Sequence, residues 1–286
     1  MPRRPTAGPK GRRPRGRRWR RLRVSSVWLS ARRRRRWLRA FRRAPASTQI
    51  AAAVVALVTL WAAVNGIYQV IHKPTELFFP VSGALYKTPS ETWDAYAPLF
   101  RRYATEVITA DFLAALAQVE GSGNPVVRTY WRWSLRTDPF EVYRPASSAV
   151  GMYQITDGTF EQAKRYCIHD HVVVEEGPWY AWRSCWFNGL YFRVVPSDAI
   201  ELTAAFLDRT VSMTLARNRI DHATPAQKQR LAALIHLCGT GVGDRYTASG
   251  FELASDLRCG DHDPLDYIAR VDVMKGVFAA LAAREH

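Results

Sequence analysis

The sequence predicts a mainly α-helical domain that follows a single transmembrane helix and a disordered basic tail. Three observations support this prediction. Several helix start signals lie beyond residue 89, residues 50–71 form a run of 22 uncharged residues, and residues 1–43 hold 19 of the 41 Lys and Arg residues without any Asp or Glu. The predicted parts are a basic cytoplasmic tail (1–47), a transmembrane helix (48–72), a stalk or packed linking segment with a leading helix (73–104), and the main domain (105–286).

The positive charge of the chain belongs to the tail alone. The net charge is +16 at pH 7, yet residues 44–286 hold 22 basic and 25 acidic residues, a net charge of −3. In arginine runs such as residues 32–36, the like charges repel one another and there is little apolar surface to bury. We therefore expect the tail to be disordered. A tail of this kind binds polyanions, and two interpretations compete: an arm that binds nucleic acid, or a cytoplasmic flank on anionic lipid.

The uncharged run at residues 50–71 favours the membrane interpretation. As a helix with a rise of ~1.5 Å per residue, it is long enough to cross a hydrocarbon core of about 30 Å. The alternatives are a buried core helix, which the flanking charges disfavour, and a cleaved signal peptide, which the length of the basic and apolar segments disfavours. Because the arginines precede the span, we predict a single-pass inner (cytoplasmic) membrane protein with a cytoplasmic N-terminus and a periplasmic domain. A nucleic-acid partner is then not needed.

Helix signals recur along the main domain. An apolar pattern begins at Ser90, and Pro98 is expected to kink or end that helix. Strand signals are few and short, chiefly at residues 172–174. Three later helices are marked by capping and proline residues at their first positions: Asp198 with Glu201, Thr224 with Pro225 and Gln227, and Asp263 with Pro264.

Four cysteines follow the predicted span, on the side where an oxidising compartment permits disulfides. Of the three possible pairings we favour Cys167 with Cys185 and Cys238 with Cys259, because each closes a short loop. The alternative is a metal site, since Cys167, His169 and His171 would share one face of a strand and Cys185 could add a fourth ligand. That spacing resembles no zinc motif, so we predict neither a metal nor a cofactor.

Glu120 ends an apolar helix that begins after Thr109 and stops at Gly121. The C-terminus of a helix carries a partial negative charge, and apolar neighbours remove water, so both effects disfavour a charged carboxylate. A carboxyl group that keeps its proton near neutral pH is what general acid catalysis requires. The alternative is an ordinary solvated glutamate in a last helical turn.

Two segments carry a family resemblance: Glu120-Gly-Ser-Gly-Asn124-Pro125 and the later Gly151-Met-Tyr-Gln154-Ile-Thr-Asp-Gly-Thr. They resemble the lytic transglycosylase family with the lysozyme-like (SLT-type) domain, over roughly residues 105–245. The resemblance implies a lysozyme-like transglycosylase domain in which Glu120 is the acid/base. It also implies a cleft-lining, substrate-binding segment formed by Gly151, Met152, Tyr153 and Gln154.

The chain departs from the family pattern in several places. Met152 and Tyr153 replace Leu and Met of the family segment, which keeps an apolar or aromatic floor for a sugar ring. His236-Leu-Cys-Gly stands where Tyr-Asn-x-Gly is expected, so His236 either replaces the tyrosine as a hydrogen-bond donor or packs in the core. The long interval between the motifs is rich in arginine and aromatic residues, among them Tyr143, which suit stem-peptide carboxylates and sugar faces.

The resemblance implies a membrane-anchored enzyme that cleaves the β-1,4 bond between N-acetylmuramic acid and N-acetylglucosamine and leaves a 1,6-anhydro end. The partners are then peptidoglycan glycan strands, the inner membrane and possible envelope-spanning machinery. One alternative is a lysozyme-like muramidase, which generally needs a second carboxylate, with Asp138, Glu141 and Asp157 as candidates. The others are an inactive peptidoglycan-binding module of an envelope assembly and a nucleic-acid binder.

Overall fold

The structure is a computed structural model that describes residues 39–134, 138–181 and 183–285. The prediction of a disordered tail falls mostly on residues 1–38, outside the described part. The chain divides into two units at Leu60 and Trp61. Its described residues are mainly helical and include two small antiparallel sheets, β1–β2 and β3–β4, so the predicted helical class is confirmed.

The first long helix, α1, covers Ala46–His72 and agrees closely with the predicted span. Within the described residues it is the one helix long and apolar enough to cross a membrane. This fits a single-pass membrane protein. Short helical turns follow at Pro74–Phe78, Phe79–Ser82 (α2) and Gly83–Leu85.

Seven further helices lie in the described part of the second unit. They are α3 (Pro89–Tyr103), α4 (Ala110–Gly121), α5 (Asp157–Ala163), α6 (Pro196–Arg217), α7 (Pro225–Cys238), α8 (Thr240–Ala248) and α9 (Pro264–Ala283). The strands are β1 (Trp131–Trp133), β2 (Tyr143–Pro145), β3 (Tyr166–His169) and β4 (Val172–Glu175). In β1–β2, Arg132 pairs with Arg144; in β3–β4, Cys167 pairs with Val174.

Helix α4 lies in the centre of the core. Every residue from Phe112 to Ala117 is at most 1% exposed, and α4 packs chiefly against α9 and α3. A helix that is apolar on all sides has to be surrounded by other elements. The core therefore surrounds most of α4, and its last turn, which carries Glu120, reaches the surface.

Of the two outcomes expected at Pro98, a kink or an end, the end is excluded. Helix α3 continues to Tyr103, because Pro98 and Asp94 lie on the exposed side, where water can replace the lost hydrogen bond. One predicted helix start is wrong. Asp198 and Glu201 do not form a capping box, since α6 already begins at Pro196. Glu201 is instead buried, and its carboxylate accepts from the Ile168 N–H and the Tyr191 hydroxyl.

The other two start signals are confirmed. The hydroxyl of Thr224 accepts from the Gln227 N–H, and the Gln227 side chain accepts from the Thr224 N–H, which completes the predicted capping box of α7. The Asp263 carboxylate accepts from the Leu265 N–H at the start of α9.

Both favoured disulfides are confirmed: Cys167–Cys185 and Cys238–Cys259, with sequence separations of 18 and 21 residues. Loops of this length correspond to about 3 kcal/mol of stabilisation each in the chain-entropy model. The alternative of a metal site with Cys167 and Cys185 among its ligands is excluded, because these two cysteines are bonded to each other.

The turn at residues 150–155 packs tightly on the end of α4. A Cβ atom at Gly121 would lie 2.8 Å from the Met152 Cα atom, so only glycine allows this approach. Gly151 has φ +80°, and a Cβ atom there would lie 2.4 Å from the Arg193 carbonyl oxygen. These two glycines bring the two motif segments together.

Gly151→Ala should therefore lower the free energy of unfolding by about 2 to 4 kcal/mol, through left-handed backbone strain and overpacking. Gly158→Ala is the matched control, because its Cβ atom would meet no atom within 4 Å and it lies in the first turn of α5. Thermal unfolding of both variants of the full chain in detergent measures the difference. Equal effects of the two substitutions would contradict the packing described here.

Candidate active site

Glu120 lines a surface groove of about 640 Å³. Its side chain is 16% exposed. Helix α4 ends just beyond it, where Ser122 takes a left-handed conformation with φ 48° and its N–H donates to the Gln118 carbonyl. The carboxyl group is thus largely buried but reachable from the groove.

Groups of both charges line this groove, with basic groups in excess. The acidic side chains among the described lining residues are Glu120 and Asp261. The basic and imidazole side chains are Arg128, Arg132, Arg270, His236 and His262. A groove of this composition suits a ligand that carries carboxylates.

The Tyr267 hydroxyl holds one oxygen of Glu120. It donates a hydrogen bond of 2.5 Å to Glu120 Oε1, and the Tyr267 side chain is only 2% exposed. Burial, followed by the adjacent Glu120 charge, raises the pKa of Tyr267 well above its usual value, so the hydroxyl remains a donor. Glu120 Oε2 has no hydrogen-bond partner within the described part of the chain.

His236 also lies beside Glu120. Its Nε2 atom is 3.7 Å from Glu120 Oε1, beyond hydrogen-bond distance, and its side chain is 10% exposed. His236 lines the groove, so its predicted part as a hydrogen-bond donor in place of the tyrosine stays a prediction. The hydroxyl that contacts Glu120 comes from Tyr267 of α9.

Gln154 lines the groove together with Glu120. Its backbone is left-handed, with φ 46°, and its side-chain Nε2 donates to the carbonyls of Gly151 at 2.9 Å and Val127 at 3.3 Å. The amide nitrogen thus stabilises the turn, which is the ordinary structural role for such a side chain.

The neighbouring residues of this segment do not face the groove. Met152 and Tyr153 are both 0% exposed, and the Tyr153 hydroxyl donates to the Leu113 carbonyl in the core. This corrects the prediction that they form the floor for a sugar ring, because no ligand reaches a fully buried side chain. Gly151 acts through its backbone conformation.

Tyr143 is also absent from the groove lining. It lies in β2, with its ring centroid 4.7 Å from that of Trp133 and 5.1 Å from that of Trp131. Its role in the structure is packing between the aromatic rings of the two strands. Arg136, in the same arginine-rich interval, lies outside the described residues.

A buried charge network supports one wall of the groove. Glu76 is 6% exposed, and its carboxylate accepts from the Arg128 guanidinium at 2.7 Å and the Trp131 indole N–H at 2.9 Å. Lys73, 8% exposed, donates to the carbonyls of Ser147 and Ala149, both at 3.1 Å. The linking segment after α1 is therefore packed, which is one of its two predicted forms.

The three predicted candidates for a second carboxylate do not line the groove. Asp157 forms an ion pair with Arg193 at 2.6 Å, and Glu141 forms one with Arg144 at 3.5 Å. Asp138 accepts from the Phe140 N–H in an exposed turn.

Sequence reasoning missed the groove residues between Cys259 and Arg270. A signal was present for part of this set, since the favoured Cys238–Cys259 pairing brings the loop that contains Asp261 and His262 towards the end of α7. Tyr267 had no local signal. It belongs to the buried face of α9 and looks like any other core residue.

Comparisons of the chain with protein-family models, with curated proteins and with solved structures gave no match. The interpretation of the groove therefore rests on its motifs and its geometry.

Tyr267→Phe should lower the free energy of unfolding by about 1.5 to 3 kcal/mol, because a largely buried carboxyl group loses its donor. Tyr246→Phe is the control: Tyr246 is 5% exposed, and its hydroxyl has no hydrogen-bond partner among the described residues. Thermal unfolding in detergent compares the two. A loss of stability no larger than that of the control would show that the Tyr267–Glu120 bond contributes little.

Proposed function

We propose that the chain is a membrane-anchored lytic transglycosylase of peptidoglycan, with Glu120 as its acid/base. The observation that carries the proposal is the Glu120 carboxyl group, largely buried at the end of a core helix and reachable from a groove of about 640 Å³. The two sequence motifs that suggested the activity meet at this point, through the close contact of Gly121 with Met152.

The proposed reaction uses one carboxyl group twice. Protonated Glu120 donates its proton to the glycosidic oxygen while the bond from the anomeric carbon of N-acetylmuramic acid to that oxygen breaks. The resulting carboxylate accepts the proton of the 6-hydroxyl of the same sugar, whose oxygen bonds to the anomeric carbon. The products are a 1,6-anhydro end and a new 4-hydroxyl end, without consumption of water.

Tyr267 has a defined part in this scheme. Its hydroxyl occupies Glu120 Oε1. Proton transfer to and from the sugar is then assigned to Oε2. A carboxyl group fixed at one oxygen has fewer orientations to lose when the substrate binds, which favours transfer in the correct geometry.

The basic groups of the groove fit the same substrate. N-acetylmuramic acid carries a lactyl group that bears the stem peptide, whose carboxylates are anionic. Arg132 and Arg270 line the groove and are exposed. Arginine binds carboxylates through paired hydrogen bonds, so these two side chains are suited to hold the stem peptide beside the glycan.

The proposal includes the fold and the location. We assign residues 105–286 to a lysozyme-like domain, which is supported by the mainly helical architecture and by the glutamate at the end of a core helix. The apolar helix α1, the one candidate span among the described residues, and the two disulfides support an inner-membrane protein with its domain in the periplasm. The arginine-rich tail would then lie on anionic lipid at the cytoplasmic surface.

Glu120→Gln should reduce digestion of purified peptidoglycan by about 10²- to 10⁴-fold, because the amide cannot transfer the proton, while the melting temperature changes little. Glu106→Gln is the control, since Glu106 is exposed and lies outside the groove lining. The assay is mass spectrometry of the released fragments, in which 1,6-anhydro ends are one water lighter than reducing ends.

If the Glu120→Gln variant digests peptidoglycan as well as the wild-type chain, Glu120 is not the acid/base. If the wild-type chain binds peptidoglycan but releases no fragments, the chain is an inactive binding module.

Asp261 provides the sharpest test against the muramidase alternative. It is the second acidic side chain of the described groove, and a hydrolase would use it to activate water or to trap the sugar. For a lytic transglycosylase, Asp261→Asn should leave fragment release and the 1,6-anhydro ends nearly unchanged. Reducing ends in the wild-type digest, together with loss of activity in Asp261→Asn, would instead establish a muramidase.

A further inference from the structure

An aromatic hairpin docks on the last turns of α1. It consists of residues 129–134 and 138–146 and contains β1 and β2. Three α1 side chains donate to backbone carbonyls of this aromatic hairpin: Trp61 to Pro139 at 3.0 Å, Asn65 to Tyr143 at 2.9 Å, and Gln69 to Phe140 at 2.7 Å. The polar positions of an otherwise apolar helix thus have dedicated partners.

These contacts define which side of α1 faces the aromatic hairpin. Asn65 is 2% exposed and Gln69 is 7% exposed, whereas Val64, Ile67 and Ile71 on other faces are 39%, 61% and 69% exposed. An amide in hydrocarbon without a partner costs several kcal/mol, and here hairpin carbonyls accept from the amide nitrogens of both side chains. Helix α1 therefore keeps an apolar surface for lipid beside a polar edge that the protein covers.

The length of α1 determines the depth of the aromatic hairpin relative to the membrane. A span of about 20 residues crosses the hydrocarbon core, so a helix that begins at Ala46 reaches the far boundary near Asn65. Trp61 and Asn65, which contact the hairpin, then lie at that boundary. The hairpin would lie at the membrane surface on the side of the folded domain.

The aromatic hairpin exposes a side chain of a type that favours this layer. Trp133 is 70% exposed. Its ring stacks on the Trp61 ring with centroids 6.3 Å apart, which extends the surface of α1 onto β1. Tryptophan concentrates at the membrane–water boundary. Tyr130 and Arg132, which are also exposed, line the groove.

We propose that the aromatic hairpin binds the lipid headgroup layer, with Trp133 in contact with lipid. A glycan strand is the competing occupant, because Tyr130 and Arg132 also line the groove. Trp133 distinguishes the two, since it is absent from the groove lining and stacks on a residue of the membrane helix. The proposal does not depend on the catalytic role of Glu120.

The test uses the full chain labelled with 5-fluorotryptophan, in nanodiscs of phosphatidylethanolamine and phosphatidylglycerol. The resonance of Trp133 is identified by its absence from the ¹⁹F spectrum of the Trp133→Phe variant. If the Trp133→Phe variant does not fold, the Trp133→Tyr variant is used for the same purpose. Trp93→Phe identifies the control resonance, because Trp93 is 2% exposed in the core. With headgroup spin-labelled lipid, the Trp133 resonance should be lost while the Trp93 resonance remains.

Two results would overturn the proposal. Persistence of the Trp133 resonance with spin-labelled lipid, together with its loss when a water-soluble gadolinium chelate is added, would place the ring in water. A response of Trp133 to soluble glycan strands but not to spin-labelled lipid would make the aromatic hairpin a sugar platform. Since the readout involves no catalysis, neither result bears on the cleavage reaction.

Discussion

The site depends on one constraint: polar groups that lose water on burial need hydrogen-bond partners from the protein. A carboxyl group at the end of a buried helix gives up much of its water, so the fold has to supply polar partners. The buried Tyr267 hydroxyl does so for Glu120, and the two residues are 147 positions apart in the chain. Their hydrogen bond requires α9 to pack along α4. The site therefore forms only when the core of the second unit has formed.

The same constraint operates at the groove wall, where buried charged side chains are paired with one another. Burial lowers the pKa of Lys73, and the adjacent Glu76 carboxylate opposes that effect. Removing one partner from such a network leaves an uncompensated buried charge, which is far more costly than never having had the pair. The network thus joins the segment after α1 to both sides of the aromatic hairpin, through Arg128 on one side and Ser147 on the other.

Local signals accounted for much of the fold and for the central site residue. Helix α4, its end at Gly121, the capping box at Thr224 and both short-loop disulfides follow from residues close in sequence. The sequence alone could not decide whether Pro98 ends its helix, because the cost of a proline depends on whether its side of the helix meets water. Tyr267 could not be predicted, since a buried tyrosine on an apolar face looks the same whether or not its hydroxyl meets a carboxyl group of another helix.

The aromatic hairpin links the groove to α1, and this link has a geometric consequence. Tyr130 and Arg132 face the groove, while the backbone of the same hairpin accepts three hydrogen bonds from α1. Trp61, Asn65 and Gln69 all belong to the second unit, so this part of α1 folds together with the wall that it supports. Without these contacts, the carbonyls of Pro139, Phe140 and Tyr143 would lose their donors in the same hairpin that presents Tyr130 and Arg132 to the groove.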